Sequence, residues 1–167
     1  TLIEDSGYLW EPGKVIYLDG VFEGIRELKN FGFQTLIVTN QSGVAKGYYT
    51  EDYIHKVHDK LREDFESNGG SLDDFFYAPT HPEGIVAEYA KQSDRRKPGP
   101  GMILEGARKH KIDLNKSFMV GDNQVDIEAG RAAGVPVVAV GDNDLKGSVP
   151  DYKAENFLDA VQWIKQN

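Results

Sequence analysis

Three short stretches carry side chains suited to chemistry on an anion. Val38-Thr39-Asn40 ends an apolar run with a hydroxyl and a carboxamide. Arg95-Arg96-Lys97-Pro98 is a basic run. Phe118-Met119-Val120-Gly121-Asp122-Asn123-Gln124-Val125-Asp126 leads out of a second apolar run with two carboxylates four residues apart. Lys97 offers phosphate a point charge, and Arg96 a fork that matches two of its oxygens. Asp122 offers the hard oxygen that Mg²⁺ prefers. Each stretch also has a plainer reading. Asp122 can cap a helix, Thr39-Asn40 can be a turn, and the basic run can be a solvated loop. Placed together on one edge, the hydroxyl, the two cations and the carboxylate make a site for phosphate plus magnesium.

That placement depends on the elements between them. Thr35-Leu36-Ile37-Val38 and Ser117-Phe118-Met119-Val120 are short, continuous apolar runs, the pattern of strands buried on both faces. Phe75-Phe76-Tyr77 and Pro136-Val137-Val138-Ala139-Val140 predict two more strands, the proline standing at a strand's start. Val21, Ile25 and Leu28 share a helical face that Gly32 closes. Thr50 can cap a helix opening with Glu51 and Asp52, whose buried stripe is expected to be Ile54, Val57, Leu61 and Phe65. Helices are also expected over 102–110, 127–133 and 156–165. Residues 1–14 read as loop, with a short ribbon ending at Val15 to Leu18. Residues 78–100 form a long loop holding four of the seven prolines.

Strands alternating with helices imply an α/β fold: one domain with a parallel sheet covered on both faces. In such a sheet all carboxyl ends share one edge, where ligands bind. Gly121 permits the sharp turn that brings Asp122 out there, and Asp126 follows one helical turn later.

Composition narrows the classes. The chain has 167 residues and a formal net charge of −8, which argues against a nucleic-acid surface but not against a local cluster of cations. It has no cysteine, so disulfides and thiolate metal sites are excluded. No apolar run approaches the ~20 residues that span a bilayer. The expectation is a cytoplasmic, monomeric protein with a small-molecule partner, and neither nucleic acid nor membrane.

Val38-Thr39-Asn40, Lys97-Pro98 and Gly121-Asp122 with Asp126 resemble the second, third and fourth motifs of the haloacid-dehalogenase-like (HAD-like) phosphohydrolases. Within that superfamily, Asp5-Ser6-Gly7-Tyr8, Thr39-Asn40-Gln41-Ser42-Gly43, Arg96-Lys97-Pro98 and Pro100-Gly101-Met102 resemble the D-glycero-D-manno-heptose 1,7-bisphosphate phosphatases. The histidinol-phosphate phosphatases share much of this. The resemblance implies a Rossmann-like three-layer sandwich around a central parallel sheet. It also implies Mg²⁺-dependent hydrolysis of a sugar phosphate through an aspartyl-phosphate. Thr39 and Lys97 would act on the transferring phosphoryl group together with Asn40, and Asp122 would hold the metal. Asp5, Ser6, Gly7, Tyr8, Gln41, Ser42, Arg96 and Asn123 would contact substrate, although relatives commonly carry a basic residue where Asn123 stands.

Two departures from the pattern bear on function. The superfamily's first motif is a strand followed by Asp-x-Asp-Gly-Thr, and Thr1-Leu2-Ile3 resembles only its tail. A strand with that Asp pair is therefore expected immediately before Thr1. A polypeptide truly beginning at Thr1 is expected neither to fold stably nor to hydrolyse phosphate esters, and would at most bind a phosphosugar. Tyr17-Leu18-Asp19-Gly20-Val21 imitates the motif but has Val21 where the second carboxylate belongs. The second departure is in the long loop, where many relatives hold zinc with three cysteines and a histidine. Ala78, Thr80, Ser93 and Arg95 stand there instead, so no zinc is expected. His55 and His58 read as surface residues.

Overall fold

The computed structural model describes residues 1–4 and 15–167. Its elements run α1 (Val21–Phe31), β1 (Leu36–Asn40), α2 (Glu51–Ser67), β2 (Asp74–Ala78), α3 (Gly101–His110), β3 (Met119–Gly121), α4 (Gln124–Ala133), β4 (Val137–Val140), β5 (Tyr152–Ala154) and α5 (Phe157–Ile164). All the strand pairs are parallel: β1 with β2 in one sheet, and β3, β4 and β5 in that order in another. The short strand β5, inside a polar stretch, was not expected from the sequence. Hydropathy gives no signal there, because Lys153 faces solvent and Ala154 alone of its three residues is buried.

Side-chain alternation sorts the sheets into two faces. Ile37, Phe75, Val120, Val138 and Val140 point to a cluster with Val21, Ile25 and Leu28 of α1, Leu61 and Phe65 of α2, and Phe157, Val161 and Ile164 of α5. On the opposite face Met119, Val137 and Ala139 meet Ile127 of α4, and Phe76 and Ala78 meet Met102 of α3. Helices on both faces of parallel strands make the expected three-layer sandwich.

The α2 stripe differs from expectation. The buried residues are Ile54, His58, Leu61 and Phe65, while Val57 is only partly covered. His58 is therefore a core residue and not a surface one. Its ring stacks on Phe75, with centroids 4.4 Å apart, and burial is the main force pushing its pKa down to about 4. His55, three residues earlier, is exposed as expected.

The N-terminal ribbon forms through an antiparallel bridge of Ile3 with Tyr17, flanked by Glu4 N–H to Ile16 and Leu18 N–H to Leu2. Among the described residues no strand pairing joins β1 to β3. A cavity of about 770 Å³ lies between them, lined by Leu36 to Asn40, Phe118 to Val120, Ile25, Leu28, Met102 and the first four residues. Protein interiors are close-packed, with few voids larger than a water molecule, and this space far exceeds such a void. Among the described residues no helix is long and apolar enough to cross a membrane.

Candidate active site

The polar end of that cavity is built from the three stretches that the sequence singled out. Thr39 and Asn40 are the last residues of β1, and Lys97 lies in the loop leading to α3. Asp122 directly follows β3, and Asp126 sits in the first turn of α4. Thr39, Asn40, Gln41, Ser42, Lys97, Asp122, Asn123 and Asp126 all line the cavity. The parallel sheet edge thus gathers them as expected.

Lys97 is the hub. Its ammonium donates to the carbonyl of Val38 at 2.9 Å and to Asp126 Oδ1 at 2.5 Å. Both side chains of that ion pair are largely withdrawn from water, Lys97 at 12% and Asp126 at 6% exposure. Asp126 Oδ2 meanwhile accepts the backbone N–H groups of Asp122 and Asn123, at 3.2 and 3.1 Å. One carboxylate therefore caps α4, fixes the turn that carries Asp122, and orients the lysine. Gly121 is required for this. A Cβ there would stand 2.3 Å from Asp126 Cβ, so any side chain would displace the carboxylate.

Asp122 receives the Asn123 side-chain amide at 2.8 Å and that of Asn143 at 3.2 Å. Burial acts to raise the pKa of Asp122, while the hydrogen bond from the Thr1 hydroxyl and the charge of Lys97 act to lower it. The carboxylate is ionised at neutral pH, as a metal ligand must be. Among the described residues no cluster of three acidic or imidazole side chains could hold a metal. Mg²⁺ commonly takes one or two carboxylates and completes its shell with water and substrate phosphate. Asp122 fits as one such ligand.

The remaining positions fall around this centre. Gln41 donates to the Thr39 hydroxyl at 3.2 Å and accepts from the Tyr49 hydroxyl at 2.7 Å, so it orients the threonine. Asn40 turns its amide onto the main chain of Lys97. Arg96 donates to the Thr80 carbonyl at 3.2 Å, tying the basic run to the start of the long loop. Asp5, Ser6, Gly7 and Tyr8 lie outside the described residues. Asp19 is exposed in the turn before α1 and does not line the cavity.

Two features escaped the sequence. Asn143 reaches Asp122 from a loop 21 residues on, with no motif to mark it. Glu51, expected only to favour the start of α2, also accepts hydrogen bonds from Tyr77 and Tyr89, both at 2.5 Å. These bonds keep its pKa low and, with burial, push that of Tyr77 up to about 12. They pin the end of β2 and the long loop to α2.

Parallel strands in a three-layer sandwich, with a hydroxyl and an aspartate at the ends of β1 and β3 and a lysine from the loop between β2 and α3, define a HAD-like hydrolase. A HAD-hydrolase-like family model matches residues 94–160, which hold Lys97 and Asp122. A D-glycero-D-manno-heptose-1,7-bisphosphate 7-phosphatase of Thermosynechococcus vestitus is 37% identical over 98% of this chain and 90% of its own length. The D-glycero-beta-D-manno-heptose-1,7-bisphosphate 7-phosphatase of Yersinia pestis is 38% identical over 99% of this chain and 90% of its own. The chain belongs to this phosphatase family within the HAD-like hydrolases. Among solved structures, the D,D-heptose 1,7-bisphosphate phosphatase of B. bronchiseptica, complexed with magnesium and phosphate, superposes with a TM-score of 0.86 at 26% identity. It covers 99% of this chain and 93% of that one.

Proposed function

We propose that the protein is a Mg²⁺-dependent phosphatase that removes the 7-phosphate from D-glycero-D-manno-heptose 1,7-bisphosphate, leaving the 1-phosphate. The observation that carries this reading is the Lys97 hub, a lysine held between β1 and the first turn of α4 beside an ionised aspartate. The relatives' activity and the magnesium and phosphate bound by the solved neighbour support it. The Thr39 hydroxyl and the Lys97 ammonium contact the transferring phosphoryl group, where fixed positive charge offsets the charge that builds up in the transition state. Asp122 holds Mg²⁺, which when bound neutralises phosphate charge. Arg96, Gln41, Ser42, Asn123 and residues 5–8 contact the rest of the sugar phosphate.

The carboxylate that attacks phosphorus, forming the aspartyl-phosphate, belongs in this reading to an apolar strand seated in the cavity between β1 and β3. β1 and β3 both line the apolar slot, and Thr39, Lys97 and Asp122 line it too, which supports that arrangement. Such a strand would make the sheet continuous and bring its terminal carboxylates beside Asp122. The enzyme is monomeric and cytoplasmic in this account. The test is a substrate panel of heptose bisphosphate and histidinol phosphate on the full-length gene product. Faster turnover of histidinol phosphate would overturn the substrate assignment.

A further inference from the structure

Asn40 is bound to the catalytic lysine in a way that a substrate ligand would not be. Its Oδ1 accepts the Lys97 backbone N–H at 2.9 Å, and its Nδ2 donates to the Lys97 carbonyl at 3.0 Å. The two residues are 57 positions apart in sequence, so this is a tertiary clip and not a turn. Only a carboxamide has a donor and an acceptor side by side to match both polar groups of one residue's main chain; a carboxylate can only accept. The same strand holds the other end of the lysine, since the Val38 carbonyl accepts from Nζ at 2.9 Å. Positions 38 and 40 are two residues apart, about 6.6 Å along a strand at ~3.3 Å per residue. β1 thus grips Lys97 by its backbone and by its ammonium, and Asp126 completes the hold.

We infer that Asn40 is a positioning residue that acts through Lys97 and does not bind the phosphoryl group. This rests on the phosphatase reading for its catalytic consequence, though not for the clip itself. With the clip intact, the lysine's main chain is fixed relative to Thr39, one residue away, and the two groups that meet phosphate keep a set separation. Without it, the Lys97 main chain loses both of its hydrogen bonds to Asn40, and the lysine keeps its side-chain bonds to Val38 and Asp126.

The test combines a double-mutant cycle with a measurement that needs no catalysis. In the full-length protein, Asn40→Ala should lower kcat by up to about 10²-fold, the scale of a misplaced catalytic group, with KM little changed. In a Lys97→Ala background the same change should cost little more, because the two residues act as a unit. Independently, brief acetylation with acetic anhydride followed by peptide mass spectrometry should show Lys97 labelled faster in Asn40→Ala, with the other lysines unchanged. Asn40→Asp, which keeps the shape and the accepting half, serves if the alanine variant does not fold, and should also raise Lys97 labelling. Additive losses in the cycle, or unchanged Lys97 labelling in a folded variant, would overturn the inference. Faster labelling in a protein that hydrolyses no phosphate ester would keep the clip and refute the phosphatase reading.

Discussion

In the proposed mechanism Lys97 and Asp122 carry the charge that acts on phosphate, and neither belongs to the apolar core. Lys97 lies in a loop and Asp122 at a strand end. Lys97→Ala and Asp122→Asn should each lower turnover on the order of 10²–10³-fold, the scale measured for single groups that stabilise transition-state charge. Thermal melts of Asp122→Asn should stay close to that of the parent, whereas Lys97→Ala, which leaves Asp126 buried without its cation, should melt lower while still folding. Near-normal activity in either would remove that residue from the mechanism. His58 tests a different kind of residue. Its unfolded pKa is ordinary, near 6.5, and burial depresses the folded value to about 4. Between those values the unfolded chain binds a proton that the folded one refuses, so stability falls as pH drops through that window. The full loss is about 3 kcal/mol at ~1.4 kcal/mol per pKa unit. His58→Phe, which can keep the stack on Phe75, should flatten the stability profile between pH 6.5 and 4. Denaturant melts at several pH values would show an unchanged slope if His58 were not the cause.

At the scale of elements, the long loop between β2 and α3 is the part whose order needs explaining, since it delivers Arg96 and Lys97. Glu51 supplies part of that order by accepting from Tyr77 at the end of β2 and from Tyr89 within the loop. Hydrogen bonding to Glu51 is the leading cause of the raised pKa of Tyr89, and burial the leading cause for Tyr77, each going to about 12. Glu51→Gln removes the charge, so both phenols should titrate closer to the ordinary value of about 10. Ultraviolet absorbance of tyrosinate would follow this, and a titration identical to the parent's would contradict the clamp. Because the pKa of Glu51 is lowered in the fold, its contribution holds above the ordinary carboxylate range and fades as pH falls below it. Ala78, Thr80, Ser93 and Arg95 offer no thiolate or imidazole, so elemental analysis after dialysis against a weak chelator should find no stoichiometric zinc. One tightly bound zinc per chain would mean the loop has a different organisation.

These elements also mark what can be read from a sequence. The strands ending at Thr39 and Asp122 were legible because continuous apolar runs meet polar residues there. A parallel sheet put them on one edge where Lys97 could join them, but the contacts that hold Lys97 there were not legible. β5 was not legible, because a three-residue strand with an outward lysine has no apolar period. His58 was misread because its spacing from Ile54 and Leu61 places it on the buried face, while its residue type suggested solvent. The Glu51 clamp and Asn143 depend on contacts between distant segments, which local pattern does not encode.

At the scale of the whole molecule, the account joins a cavity to a chemistry. The apolar slot between β1 and β3 is lined also by Thr39, Lys97 and Asp122, so in the proposed mechanism a strand seated there with its carboxyl end at those groups completes the site. The central claim is that this completed site hydrolyses the 7-phosphate of a heptose bisphosphate. The direct measurement is phosphate release from D-glycero-D-manno-heptose 1,7-bisphosphate by the full-length gene product with Mg²⁺, the remaining phosphate being located by phosphorus NMR. The account predicts one equivalent of phosphate released, a product that keeps its 1-phosphate, and loss of turnover when magnesium is chelated. No release under these conditions, or release from carbon 1, would contradict it.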